Sequence, residues 1–358
     1  MKLKVLFVTG LTLLCVFLMS VSAFAQDATE EPTGQEGGPP EMGMPPLPEG
    51  AEVVAEGLNY PRQLTVAEDG TIYVAIVGPG GDIMVSTPEG DVPFGYSSQL
   101  LAIAADGTQT PVLSGLPSAG GIGGITAVEV TAEGTWVIIS GPGPEAVASP
   151  LMASALWVAA DGHVADYVDF YGYELANDPD GNGQDTNPND ALVASDGTVY
   201  LLDTGANTLF TWTAEGGLEP FVIWSDNPVP TAVAEAPDGN LVVSFLGAEL
   251  APGAGKVEVI SPAGEVVETF SGYTTLTDVD VADDGTIYAV ALISGFGEAG
   301  PLPGQVLEIN ADGGAVLAEG LMTPYGIAVD GDGSLLVTTG SAFLPPGSGM
   351  VLRLHAGM

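Results

Sequence analysis

The run Asp178-Pro179-Asp180-Gly181-Asn182-Gly183-Gln184-Asp185-Thr186-Asn187 puts carboxylate or amide oxygens at its first, third and fifth positions and glycine at its sixth. Side chains alternating in this way converge on a hard cation, as at the start of an EF-hand loop. Asp178, Asp180, Asn182, Asp185 and Asn187 are therefore candidate ligands for Ca2+ or another divalent cation. The pattern is incomplete, because the twelfth position, where a bidentate glutamate belongs, is Asn189, with Asp190 one step late. A surface loop rich in Asx turns is the competing reading.

Nucleophilic chemistry has little material. The one cysteine, Cys15, lies in an apolar run, His163 follows Asp161-Gly162 in a turn, and His355 stands three residues from the end. Neither histidine has an evident serine or carboxylate partner placed for catalysis. Gly295-Phe296-Gly297-Glu298-Ala299-Gly300 spells a dinucleotide fingerprint, but Pro301 and Pro303 stand where its helix must begin. Charge is one-sided: 46 acidic residues against five basic give a formal net charge of -41. Such a surface repels phosphate backbones and anionic lipid, which argues against nucleic acid and membrane partners. Cations, a small molecule or an extracellular protein fit better. Arg62, one of three basic residues beyond Lys2 and Lys4, is expected to pair with a carboxylate near any site and to anchor an anionic ligand.

These residues sit within a unit repeated six times: a Pro-, Asn- or Thr-led turn, a short apolar stretch, an Asp-Gly or Glu-Gly turn, and a second β-rich stretch. Copies run from Asn59 to Val74, Gly124 to Val137, Asn187 to Tyr200, Pro230 to Leu241, Leu276 to Tyr288 and Thr323 to Leu335. A third and a fourth strand follow in most units, and no amphipathic helix is predicted. Four antiparallel strands in each of six units describe an all-β, six-bladed β-propeller. The last unit lacks a fourth strand, while Glu52-Val53-Val54-Ala55-Glu56-Gly57-Leu58 is an orphan that matches one. The ring is thus expected to close by pairing this N-terminal strand with the C-terminal blade.

Residues 51–358 form the propeller. Residues 1–25, with Lys2 and Lys4 before an apolar stretch and Ala23-Phe24-Ala25 at its end, read as a cleaved signal peptide, and 26–50 as a disordered Pro/Gly-rich acidic spacer. The expected location is secreted, extracellular or periplasmic, with no membrane insertion after cleavage. In a propeller the lead-in to each blade's first strand forms one mouth of the central channel, so the ligand-binding candidates are Arg62, Thr126, Asp190, Thr231, Asp278 and Tyr325. The four tryptophans are expected between blades.

The segments Gly57-Leu58-Asn59-Tyr60-Pro61-Arg62-Gln63-Leu64, Asp69-Gly70-Thr71-Ile72-Tyr73-Val74-Ala75 and Leu202-Asp203-Thr204-Gly205-Ala206-Asn207 resemble motifs of the ScyD/ScyE family, in the family's order. The resemblance implies an exported six-bladed propeller without an assigned activity. The chain departs from the family at Gln63, where glycine is usual, and at Gly124-Ile125-Thr126, where a histidine is usual. Two functions stand open: a secreted non-catalytic binding or scaffold module, with or without a divalent cation, and a metal-dependent lactonase or esterase-like hydrolase of the gluconolactonase type. By fold analogy the second would draw on Asn187, Asp190, Asp203 and Asp278.

Overall fold

The repeated Asp-Gly turn has a local cause. The aspartate carboxylate accepts the N–H two residues ahead, from Asp69 to Thr71, Asp196 to Thr198, Asp238 to Asn240, Asp284 to Thr286 and Asp332 to Ser334. The glycine takes the left-handed φ that the turn needs, +79° at Gly70 and +87° at Gly197. Each such turn reverses the chain between a blade's first and second strands.

A computed structural model describes residues 46–87, 90–141, 143, 149–298 and 300–355. It is a six-bladed β-propeller. Blade 1 holds Pro61–Val66, Ile72–Ile76, Gly90–Ile103 and Gln109–Ala119, with an extra strand, Ile83–Thr87, on the long third strand. Blade 2 holds Gly124–Val130, Gly134–Ser140, Ser154–Ala159 and Val164–Asp169. Blade 3 holds Pro188–Val193, Val199–Asp203, Thr208–Thr213 and Gly217–Ile223. Blade 4 holds Pro230–Glu235, Leu241–Phe245, Gly255–Ile260 and Val266–Tyr273. Blade 5 holds Leu276–Val281, Ile287–Ala291, Gly304–Ile309 and Ala315–Leu321. Blade 6 holds Ile327–Val329, Leu335–Thr339 and Gly349–Leu354, and its fourth strand is Glu52–Leu58 from the other end of the chain. The register there pairs Glu52 with Arg353, Val53 with Leu352 and Leu58 with Gly349. Residues 1–45, read from the sequence as a signal peptide and most of a spacer, lie outside the described residues. Among those described, no helix is long and apolar enough to cross a membrane.

Burial is concentrated at the seams. Apolar clusters fill the junctions between blades 6 and 1, 1 and 2, 2 and 3, 3 and 4, 4 and 5, and 5 and 6. Trp136 fills the seam of blades 2 and 3 against Trp157 and Trp212, with ring centroids 5.4 and 4.8 Å away. Trp224 packs on Phe245 in the next seam and donates its indole N–H to Glu258. These rings are wedges between sheets, as expected.

The absence of helices was not met. Phe170–Asn177 forms an α-helix between blades 2 and 3, capped by Asp169, whose carboxylate accepts the Gly172 N–H. Gly172 and a weakly segregated apolar pattern hide an eight-residue helix from periodicity.

Leu58 is buried in the cluster between blades 6 and 1, so the closing strand contributes core as well as hydrogen bonds. Leu58→Ala is predicted to lower unfolding free energy by about 2–5 kcal/mol. Deletion of residues 51–58 is predicted to abolish cooperative melting. Denaturant titration and calorimetry check both; a deletion variant melting like the parent would contradict closure.

Candidate functional site

The first strand of a blade opens with a β-bulge in blades 1 to 5. Register slips between Pro61 and Leu64, Ile125 and Ala127, Pro188 and Asp190, Pro230 and Ala232, and Leu276 and Asp278. A bulge re-aims a side chain out of the ladder. The skipped positions include Arg62, Thr126, Asn189, Thr231 and Thr277, and all five line one cavity of ≈ 380 Å³ at the channel mouth. Tyr325, at the head of blade 6, joins them, and Ile122, Leu246, Leu292, Phe343 and Leu344 supply apolar wall. That volume and mixture suit a small organic molecule.

Most polar groups here are already engaged with a neighbouring blade. Asn189 Nδ2 donates to Thr231 O at 2.6 Å, Thr231 Oγ1 to Leu276 O at 3.0 Å, and Thr277 Oγ1 to Tyr325 O at 2.8 Å. Thr338 Oγ1 donates to Arg62 O at 2.7 Å, Arg62 Nη2 to Gly121 O at 2.8 Å, and Asn187 Oδ1 accepts the Gly141 N–H at 3.2 Å. Together they bridge all six seams. Gly326 lets blade 6 approach blade 1, for a Cβ there would lie 2.6 Å from Arg62 O. Two groups are left over: the Thr126 hydroxyl and Arg62 Nε are buried without a partner.

Arg62 does not form the expected ion pair among the described residues. Its guanidinium lies 4.4 Å from the centroid of the Tyr325 ring. Burial raises the Tyr325 phenol above its ordinary value, with Arg62 offsetting part of the rise, so at neutral pH it is a donor. That hydroxyl crosses the channel from blade 6 to blade 3 and reaches Asn189 Oδ1 at 3.0 Å.

Below this tie lies a second cavity of ≈ 260 Å³, lined by Gln63, Glu129, Asp190, Asp278 and Asp280. The six expected ligand residues are therefore divided: Arg62, Thr126, Thr231 and Tyr325 face the mouth, Asp190 and Asp278 the lower chamber. The reason is the bulge, which re-aims Asn189 and Thr277 into the mouth while the next residues, Asp190 and Asp278, resume the ladder and face the chamber. Asp190 accepts N–H groups of Ala191 and, in the next blade, Val233. Asp278 accepts those of Val279 and Ile327 and the Gln63 amide at 3.2 Å. Gln63, the departure from the family pattern, thus ties blade 1 to blade 5. Glu129 and Asp280, which sequence reasoning missed, bond Val193 and Val329 across their seams.

Burial is the main cause that pushes these acids up: Glu129 to about 7, Asp190 to about 8 and Asp280 to about 6. Asp278 is also well above the ordinary range, through burial and then the charge of Asp190.

The expected metal residues divide too. Asp178 and Asp180 converge, and Glu174 of the helix joins them. Asn182 is spent on Asp180 through its N–H and its amide. Asn187 belongs to the mouth, and its backbone N–H is held by Asp203. Asp185 follows the Asp178–Asp180 turn and precedes Thr186, whose hydroxyl donates to Asp203. Asp203 itself accepts the N–H groups of Asn187, Gly205 and Ala206, a turn-building role.

With this geometry the class is a six-bladed propeller with a closed channel and a small-molecule-sized mouth. No protein-family model matches the sequence, and no curated protein matches it. Solved propellers share the architecture. A gluconolactonase from Xanthomonas campestris aligns at 14% identity over 85% of this chain and 89% of that one, with a TM-score of 0.55. The calcium-binding protein regucalcin from Agrobacterium tumefaciens aligns at 15% over 84% and 92%, TM-score 0.53. A streptogramin B lyase aligns at 15% over 85% and 97%, TM-score 0.51. At these identities the likeness is one of fold.

A divalent cation of the kind that such neighbours suggest does not fit the mouth. Its one lining carboxylate, Asp91, is bonded to the Ser86 hydroxyl at 2.6 Å, and a guanidinium occupies the wall. Hard cations want several anionic oxygens instead.

The raised acids make stability fall as pH rises. Asp190 moves from 3.8 in the unfolded range to about 8, so between those values the folded chain holds a proton that the unfolded chain has released. Its contribution is complete below pH 3.8 and lost as pH passes about 8; Glu129 acts likewise from 4.5 to about 7. A melting temperature lower at pH 8 than at pH 5 by about 5 °C or more is predicted. Asp278→Asn should flatten this slope, because it removes the charge facing Asp190. Melting curves across pH 5 to 8 check both variants; a parent protein with rising stability would contradict the assignment.

Proposed function

We propose that the mouth cavity is the working site and that the protein hydrolyses a small carbonyl compound of the lactone or ester class. The observation that carries this reading is the make-up of the lining: one guanidinium, Arg62, and one exposed carboxylate, Asp91, in an otherwise uncharged wall. The fold shared with a gluconolactonase supports the substrate class. Arg62, whose guanidinium lines the cavity and gives Nη2 to Gly121 O, would hold the carbonyl oxygen with its remaining terminal N–H groups as it gains charge. Asp91 would take a proton from water as the water oxygen bonds to the carbonyl carbon. Collapse of that intermediate breaks the acyl C–O bond, and the proton passes from Asp91 to the leaving alkoxide. No metal enters these steps.

Non-catalytic binding in the same cavity is the second reading. It is favoured by the engagement of Asn189, Thr231 and Thr277 with backbone, which leaves them to shape the wall. Secretion and ScyD/ScyE membership belong to the proposal as well; the ordered motifs from Gly57 to Asn207 and the residues 1–25 support them.

The test is a panel of lactones and aryl esters with and without chelator, using the parent protein, Arg62→Gln and Asp91→Asn. Chelator-resistant turnover that falls by about 100-fold or more in each variant is expected. Calorimetric binding sensitive to Arg62→Gln without turnover would replace hydrolysis by the second reading. Chelator-sensitive turnover would contradict the metal-free mechanism, and neither binding nor turnover would overturn the choice of cavity.

A further inference from the structure

The helix between blades 2 and 3 ends against a cluster of three carboxylates. Glu174, Asp178 and Asp180 each offer a carboxylate oxygen within 4.8 Å of the others. The site is at the helix's C-terminal end, where the macrodipole is already negative, and the last turn holds no basic residue. Asp178 ends the helix in a left-handed conformation, φ 42°, with its N–H on Glu174 O. This turns the chain back so that Asp180 faces the helix.

The three carboxylates are not equally supplied. Asp180 accepts the Asn182 N–H, the Asn182 amide at 3.0 Å and the Asn207 amide at 2.8 Å. Asp178 accepts the Gly183 N–H at 3.2 Å. Glu174 is 2% exposed, and no hydrogen bond of good geometry reaches either carboxylate oxygen; the Asp185 N–H is turned toward it as a weak donor. A buried carboxylate facing two others, with so little donated to it, is under-compensated.

We infer that Glu174, Asp178 and Asp180 form a Ca2+ site that fastens the helix to the outer wall of the mouth. All three donors are hard oxygens, with no imidazole or thiolate in the group, which points away from zinc. Calcium accepts irregular sets of oxygens in a flexible shell, whereas magnesium demands a near-ideal octahedron, so carboxylates drawn from a helix end and a turn suit calcium. Asn207, which holds Asp180, also accepts the Val229 N–H through Oδ1 and donates to Asn227, so the ion would brace blades 3 and 4 together. This site is separate from the mouth residues, and its occupancy does not depend on what the mouth binds.

The experiment is calorimetric titration of chelator-stripped, desalted protein with CaCl2, and with MgCl2 in parallel, together with melting curves. The parent protein should take up Ca2+ at one equivalent and gain thermal stability that saturates there. Glu174→Gln keeps the shape and removes one charge. It should lose Ca2+ affinity by at least about tenfold, while its calcium-free form melts no lower than the calcium-free parent. Asp180→Asn should lose affinity as well. A parent protein giving no stoichiometric Ca2+ heat, or preferring Mg2+, would overturn the inference. So would variants that bind as the parent does, since the ion would then lie elsewhere on the acidic surface.

Discussion

The inner strands of neighbouring blades splay apart, so the backbone N–H and C=O groups facing each seam cannot pair with one another as they do within a sheet. A short polar side chain from one blade must reach the next. Asn189, Thr231, Thr277 and Thr338 do this around the upper ring, and Glu129, Asp190, Asp278 and Asp280 do it lower down. For Asn189, Thr231 and Thr277 the reach is made from an inner bulge. Residue types that look like ligands in the sequence are, in large part, the ties that hold the ring.

The same constraint sorts function from structure. Once a hydroxyl or carboxylate has satisfied a seam, it has little freedom to change partners during binding. At the mouth the groups not consumed in this way are the Arg62 guanidinium, in part, and the Thr126 hydroxyl. Tyr325, tied to Asn189 across the channel, separates the Arg62 guanidinium at the mouth from a chamber in which burial raises Glu129, Asp190, Asp278 and Asp280 above the ordinary carboxylate range. An arginine beside an open acid cluster would otherwise be neutralised by it; the partition keeps its charge available to whatever enters from outside.

The ring itself was legible from the Asp-Gly hairpins, because the carboxylate-to-backbone bond that makes each turn is local in sequence. Closure was legible for a similar reason: Glu52 to Leu58 has the pattern of a fourth strand and only blade 6 lacks one. The division of the channel was not. Whether Asp190 points with Asn189 or away from it depends on a bulge, which shifts one side chain without altering the apolar pattern. Glu174 was missed because its helix is short and contains Gly172, and because its importance comes from Asp178 and Asp180 meeting it after the chain turns. Asp178 and Asp180 were readable from spacing; the third carboxylate needed the fold.

The seam bonds can be weighed by replacing threonine with valine, which has the same shape and a higher liking for strands but no hydroxyl. Denaturant unfolding of Thr231→Val, Thr277→Val and Thr338→Val should each show a loss of about 1–3 kcal/mol, because a buried carbonyl in the next blade is left unpaired. Thr110→Val, on an exposed outer strand, should be neutral or slightly stabilising. If the three seam variants unfolded within about 0.5 kcal/mol of the parent, the blades would be held by apolar packing alone, and the claim that side-chain ties fix the inner strands would fail.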